Sequence, residues 1–203
     1  MQAANVKLSE KEFSLVTNAE IFLTKNGIIT KVSGMFAAVS RQFQEQLKNK
    51  TVFSEQVLAI TPKIYRGEQY LSLPYVMLDY PRYFSKDHTL AIRSFFWWGN
   101  YFSITLLLEG AFLQQYFPGL SRSQNASLLE GWFFSTGKDK WNLNRESDQL
   151  LPAAACLREP EGMSGFKEKP FLKLTRFLPL TQWDHCSEFF TDGFAVLTKI
   201  LET

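Results

Sequence analysis

The stretch SFFWWGNYFSITLLL, Ser94 to Leu108, carries six aromatic residues and no charge. Arg93 and Glu109 bracket it. At fifteen residues it falls short of the roughly 20 apolar residues that a membrane-spanning helix needs, so no membrane span is expected. Gly99-Asn100 near its centre disfavours a helix and suits a two-residue hairpin turn, with Gly first as a type II′ turn prefers. The expectation is a central antiparallel hairpin in which Trp98 faces Tyr101, Trp97 faces Phe102, Phe96 faces Ser103 and Phe95 faces Ile104. Side chains alternate along a strand, so that register defines two faces. Arg93, Phe95, Trp97, Phe102, Ile104 and Leu106 form the one expected to pack on helices. Ser94, Phe96, Trp98, Tyr101, Ser103 and Thr105 form a mixed aromatic and hydroxyl face.

The flanking sequence sets this hairpin in an α+β context. Ser9 and Glu12 make a capping box ahead of Phe13, Val16, Ala19 and Leu23, with Leu15 and Phe22 widening the stripe. This predicts a first helix over Ser9–Lys25, ended by Asn26-Gly27. Ile28, Val32, Met35, Phe36, Val39, Phe43 and Leu47 recur at steps of three and four, predicting a second helix over Thr30–Lys48. From Thr51 the texture changes, and short runs rich in Tyr, Ile, Val and Leu alternate with Pro and Gly. Lys63–Tyr65, Gln69–Leu73 and Tyr75–Tyr80 are candidate strands. Ala111–Phe117 suits a helical turn stopped by Pro118-Gly119. Gly131–Ser135 and Lys140–Leu143 suit a strand pair, Phe171–Leu178 a further strand, and Arg158–Gly165 a mobile loop. A last helix is expected after Thr181, with Trp183, Cys186, Phe189, Phe190 and Leu197 on its apolar face. Two helices, a run of strands and a helix predict one α+β domain over residues 1–203: an antiparallel sheet with helices mainly on one face.

Composition narrows the function classes. Twenty-two basic and 20 acidic residues nearly cancel, so there is no electrostatic footprint for nucleic acid. Nineteen phenylalanines point to a large aromatic core. The start of the chain has no apolar run of the signal-peptide kind, and Cys156 and Cys186 fit reduced thiols, so a cytoplasmic location is expected. Neither a phosphate-cradling glycine loop nor a nucleophile elbow, a CxxC pair or an HExxH motif occurs. Two histidines, His88 and His185, cannot supply a zinc site, and no metal or cofactor is expected. Asp184-His185-Cys186 is no nucleophile pair, because adjacent helical residues point about 100° apart.

Two function classes remain. The first is a non-catalytic binding protein that meets a protein partner, or its own copy, through Phe96, Trp98 and Tyr101, since aromatics are favoured at interfaces. The second is a small-molecule binder or enzyme, with a cleft beside the polar Asp79–His88 segment where Tyr80, Arg82, His88 and Arg93 converge on an anionic ligand. Arg93, on the face expected to be core, needs a carboxylate partner from Asp79, Asp87 or Glu109. No set of catalytic residues emerges.

Overall fold

The structure, a computed structural model, describes residues 6–159 and 161–202. Residues 1–5, part of the segment read above as lacking a signal sequence, lie outside it, as do Pro160 in the predicted mobile loop and Thr203. Seven strands form one antiparallel sheet: β1 (Lys63–Tyr70), β2 (Leu73–Phe84), β3 (Thr89–Trp97), β4 (Tyr101–Glu109), β5 (Trp132–Ser135), β6 (Leu150–Pro152) and β7 (Phe171–Pro179). Their order is β1-β2-β3-β4-β7-β5-β6, so the final strand is inserted between β4 and β5. The helices are α1 (Glu10–Val16), α2 (Ala19–Leu47), α3 (Glu55–Leu58), α4 (Ala111–Leu120), α5 (Ala153–Arg158), α6 (Ser164–Lys167) and α7 (Cys186–Leu201). The predicted α+β class and the central aromatic hairpin are both present.

The main core lies between one sheet face and the helices. Ile29, Val32, Phe36, Val39, Phe43 and Leu47 of α2 keep helical spacing and are all buried. They meet α7 through rings: Phe43 stacks on Phe194 with centroids 3.9 Å apart, and Phe36 meets Phe190 edge-on at 5.1 Å. The sheet contributes Val76, Leu78, Leu90, Ile92, Phe96, Phe102, Ile104, Leu106, Leu172, Leu174 and Trp132. Gly193 lets α7 approach β4, because a Cβ there would stand 3.0 Å from Ile104 Cγ2.

The hairpin register differs by one residue from the expected one. Trp97 faces Tyr101, Phe96 faces Phe102, Phe95 faces Ser103 and Ser94 faces Ile104. The loop therefore has three residues, Trp98, Gly99 and Asn100, with Gly99 at φ 72°. Trp98 leaves the β3–β4 ladder: its N–H donates to Pro74 O, and its carbonyl accepts from the Asn100 amide. The slip inverts β3 while leaving β4 as expected. Phe96 and Ser94 turn toward the helices, and Arg93, Phe95 and Trp97 turn away. Charge accounts for this choice. It sets Arg93 directly opposite Asp79 on β2 and Thr105 on β4, instead of burying a guanidinium among the phenylalanines of the helix side.

Other boundaries move as well. Pro118-Gly119 does not stop the helix expected over Ala111–Phe117, since α4 runs through both to Leu120. The capping box at Ser9 and Glu12 is present, but the first helix stops at Val16. Asn18 then caps α2, which runs straight through Asn26-Gly27, so the two predicted helices are divided nine residues earlier than Asn26-Gly27 suggested. Leu71 and Ser72, at φ 49° and 65°, make the β1–β2 turn inside the predicted Gln69–Leu73 strand. Lys140–Leu143 is not a strand, and β5 pairs with β6 and β7 instead. Residues 180–185 form a 3-10 turn, and α7 begins at Cys186 without a side-chain cap, so Thr181 does not serve as one.

Ser94 sits at 0% exposure with a hydroxyl that has no hydrogen-bond partner among the described residues. A buried unmade hydrogen bond costs about 1–3 kcal/mol. Ser94→Ala is therefore expected to raise stability by about 1 kcal/mol or more in urea unfolding. A loss of stability would mean that the hydroxyl is engaged.

Candidate functional site

The sheet face turned away from the helices is covered by residues 136–149, which cross it as a strap. Three backbone contacts to tyrosines hold the strap. Leu143 N donates to the Tyr70 hydroxyl, the Tyr101 hydroxyl donates to Leu143 O, and Arg145 N donates back to the Tyr101 hydroxyl, each at 2.8 Å. Burial pushes the Tyr101 hydroxyl up to about 12 and raises Tyr65 and Tyr70 as well, so all three stay protonated donors at neutral pH. Leu143 of the strap joins Met77, Phe95 and Trp97 in a second, smaller core.

Beside that core lies a buried polar row. Arg93 binds Asp79 through two hydrogen bonds, Nε to Oδ1 at 2.8 Å and Nη2 to Oδ2 at 3.0 Å, while the Trp141 ring lies 5.3 Å over its guanidinium. Tyr65 donates to the same carboxylate at 3.3 Å. Burial alone works against the Arg93 charge, but the Asp79 hydrogen bonds and charge outweigh it and hold the guanidinium ionised. Thr105 and Thr175 share a hydrogen bond of 2.7 Å. Lys173, 2% exposed, pairs with Asp148 at 2.6 Å and donates to Asn142 O. At the strap's near end Lys140 pairs with Glu109, which also accepts from Thr89. Burial pushes the Glu109 carboxyl up, but these two hydrogen bonds more than offset it and leave it below the ordinary carboxylate range. The buried charges Arg93, Asp79, Lys173 and Asp148 are thus matched with one another from within the chain.

A different surface is apolar and open. The segment 6–28 projects as an arm made of α1 and the first turns of α2. Its α1 has no buried residue, and α2 buries nothing before Ile29. Large apolar side chains nonetheless crowd it: Phe13 and Phe22 are 61% exposed and Leu23 is 69% exposed. Val6, Leu8, Leu15, Val16 and Ile21 are exposed beside them. Lys25 fixes the root of the arm, pairing with Glu68 of β1 at 2.6 Å. Next to it, Ile21, Thr24, Ile28 and Trp98 line a groove of about 340 Å³. The sequence spacing places Phe13, Leu15, Val16, Phe22 and Leu23 in one apolar helix stripe. The signal against that assignment was Ile21-Phe22-Leu23, three successive apolar residues that cannot share one helix face.

The predicted site residues are spread across these features. Phe96, 1% exposed, lies in the main core against Phe102 and Trp183. Trp98, half-buried, stands at the root of the arm. Tyr101 is on the opposite face and anchors the strap, so it does not share a surface with Phe96 or Trp98. Tyr80 is buried on the helix side. Arg82 donates from Nε to Thr61 O at 3.0 Å. His88 accepts at Nδ1 from Ala111 N at 3.1 Å, at the start of α4. Arg93 is on the strapped face with Asp79. Tyr80, Arg82, His88 and Arg93 therefore occupy four separate surroundings.

Cys156 and Cys186 are buried free thiols, raised by burial away from the reactive thiolate form. Among the described residues no cluster of His, Cys, Asp and Glu could hold a metal ion, and no helix is long and apolar enough to cross a membrane. A further cleft of about 510 Å³ lies between α4 and the segment before β7, lined by Leu113, Phe117, Pro118, Lys167 and Pro170. Comparison with known protein families, with curated proteins and with solved structures finds no match to this chain.

Proposed function

We propose that this chain is a protein-binding module whose docking element is the arm 6–28 with Trp98 at its root. One observation carries the reading: eight large apolar side chains are exposed between Val6 and Leu23, six of them on α1 and α2, whose residues before Ile29 bury none of them. Scattered exposed leucines are ordinary, but eight large exposed apolar side chains within eighteen residues mark an interaction site. The arm's polar residues support a protein over a lipid surface. Lys7, Lys11 and Lys25 are balanced by Glu10, Glu12 and Glu20, whereas interfacial membrane helices are rich in Lys and Arg. Phe13 and Phe22 on the arm and Trp98 at its root are of the type that anchors protein interfaces.

The test replaces Phe22 with a photo-crosslinking amino acid in cells expressing the full chain, with the same replacement at Leu151, an exposed site outside the arm, as control. The expected result is a protein adduct at position 22 and none at 151. Lipid adducts alone, or equal labelling at both positions, would overturn the reading.

A further inference from the structure

We infer that the protein the arm meets is a second copy of this chain, the two arms packing about a two-fold axis. This rests on the arm being a docking surface. A two-fold interface must be self-complementary, because one patch serves both sides. The arm meets that demand. It carries projecting rings, Phe13 and Phe22, and it carries a hollow, the groove of about 340 Å³ between Ile21, Thr24, Ile28 and Trp98. Phe22 and the groove share α2 and the Trp98 loop beside it, and Phe13 lies on α1 just before.

Coverage points the same way. Ile21, Phe22 and Leu23 follow one another around α2 at about 100° per residue, so they point in three directions. A flat partner surface covers one of them. A second arm laid alongside, inserting its own rings into the adjacent groove, covers more than one side at once. The area also suffices. Eight large apolar residues with these exposures present on the order of the roughly 800 Å² that each side of a standard interface buries. Charge does not oppose the pairing, since three lysines and three glutamates between residues 6 and 28 leave the arm neutral toward its own copy.

Sedimentation velocity of the full chain up to about 100 μM is the measurement, run beside the crosslinking at position 22. The expected result is a dimer, with the position-22 adduct at twice the chain mass. Phe22→Glu is expected to weaken the dimer by at least about ten-fold, as loss of a central anchor does. Phe22 is exposed, so the variant should keep the wild-type circular dichroism spectrum and cooperative unfolding. Phe84→Glu, at an exposed aromatic on β2 outside the arm, should leave the dimer intact. A dimer indifferent to both Phe22→Glu and Leu23→Glu would place the interface elsewhere and overturn the inference. A monomer that still yields an adduct with a different protein would overturn self-pairing while leaving the docking reading standing. A monomer with no adduct would remove both.

Discussion

Asp79→Ala is expected to lower the free energy of unfolding by about 3–5 kcal/mol, the usual cost of removing one partner from a buried ion pair. Arg93 is only 9% exposed, and its bidentate contacts to Asp79 are the hydrogen bonds its guanidinium makes on this face. Trp141 above it offers a ring face, and Tyr65 beside it offers a hydroxyl whose raised pKa keeps it neutral. Neither replaces a carboxylate. The double change Asp79→Leu with Arg93→Met is expected to recover most of the loss, because it removes both charges instead of stranding one. Urea unfolding of the wild type, Asp79→Leu, Arg93→Met and the double variant measures this as a double-mutant cycle, with Asp79→Ala alongside. A loss below about 1 kcal/mol for Asp79→Ala would show that water reaches the guanidinium through the strap.

Phe96→Ala is expected to cost about 3–5 kcal/mol, as truncation of a fully buried ring does. Its ring touches Phe102, Trp98 and Trp183, so little around it can collapse into the space. Trp98→Ala is expected to cost less, despite the larger side chain, because that ring is already half open to solvent beside the groove. Thermal or urea melts of the two variants decide it. A more damaging Trp98→Ala would show that the Trp98 ring is as fully enclosed as that of Phe96.

Those two residues also show how far the sequence could be read. The α+β class followed from helical and strand periodicities, which depend on neighbours a few positions away. The apolar steps in α2 and the alternation in β4 were legible for that reason. The face of β3 was not, because it hangs on one residue of loop length. Both Trp98-Gly99-Asn100 and Gly99-Asn100 alone are plausible hairpin turns. What separates them is Asp79, fourteen residues before Arg93 and opposite it only once β2 pairs. The strap was illegible for a similar reason. Residues 136–149 have no regular period, and their anchors, Tyr70 and Tyr101, lie far back in the chain. The arm failed in the opposite sense. Phe13, Val16 and Leu23 have the spacing of a buried stripe, and spacing alone cannot say whether a stripe is covered by its own chain.

The place of β7 in the sheet bears on how the protein is made. β4 emerges from the ribosome about sixty residues before β7, a delay on the order of three to twelve seconds at roughly 5–20 residues per second. Through that interval β4 has β3 on one side and an open edge on the other, since β7 is its second neighbour. The waiting edge carries Ile104, Leu106, Leu107 and Leu108, which makes it an aggregation-prone template for other chains. β5 and β6 cannot relieve it, because they join the sheet only through β7. Nascent chains stalled before Phe171 should therefore be more prone to aggregate than chains in which β7 has closed the sheet.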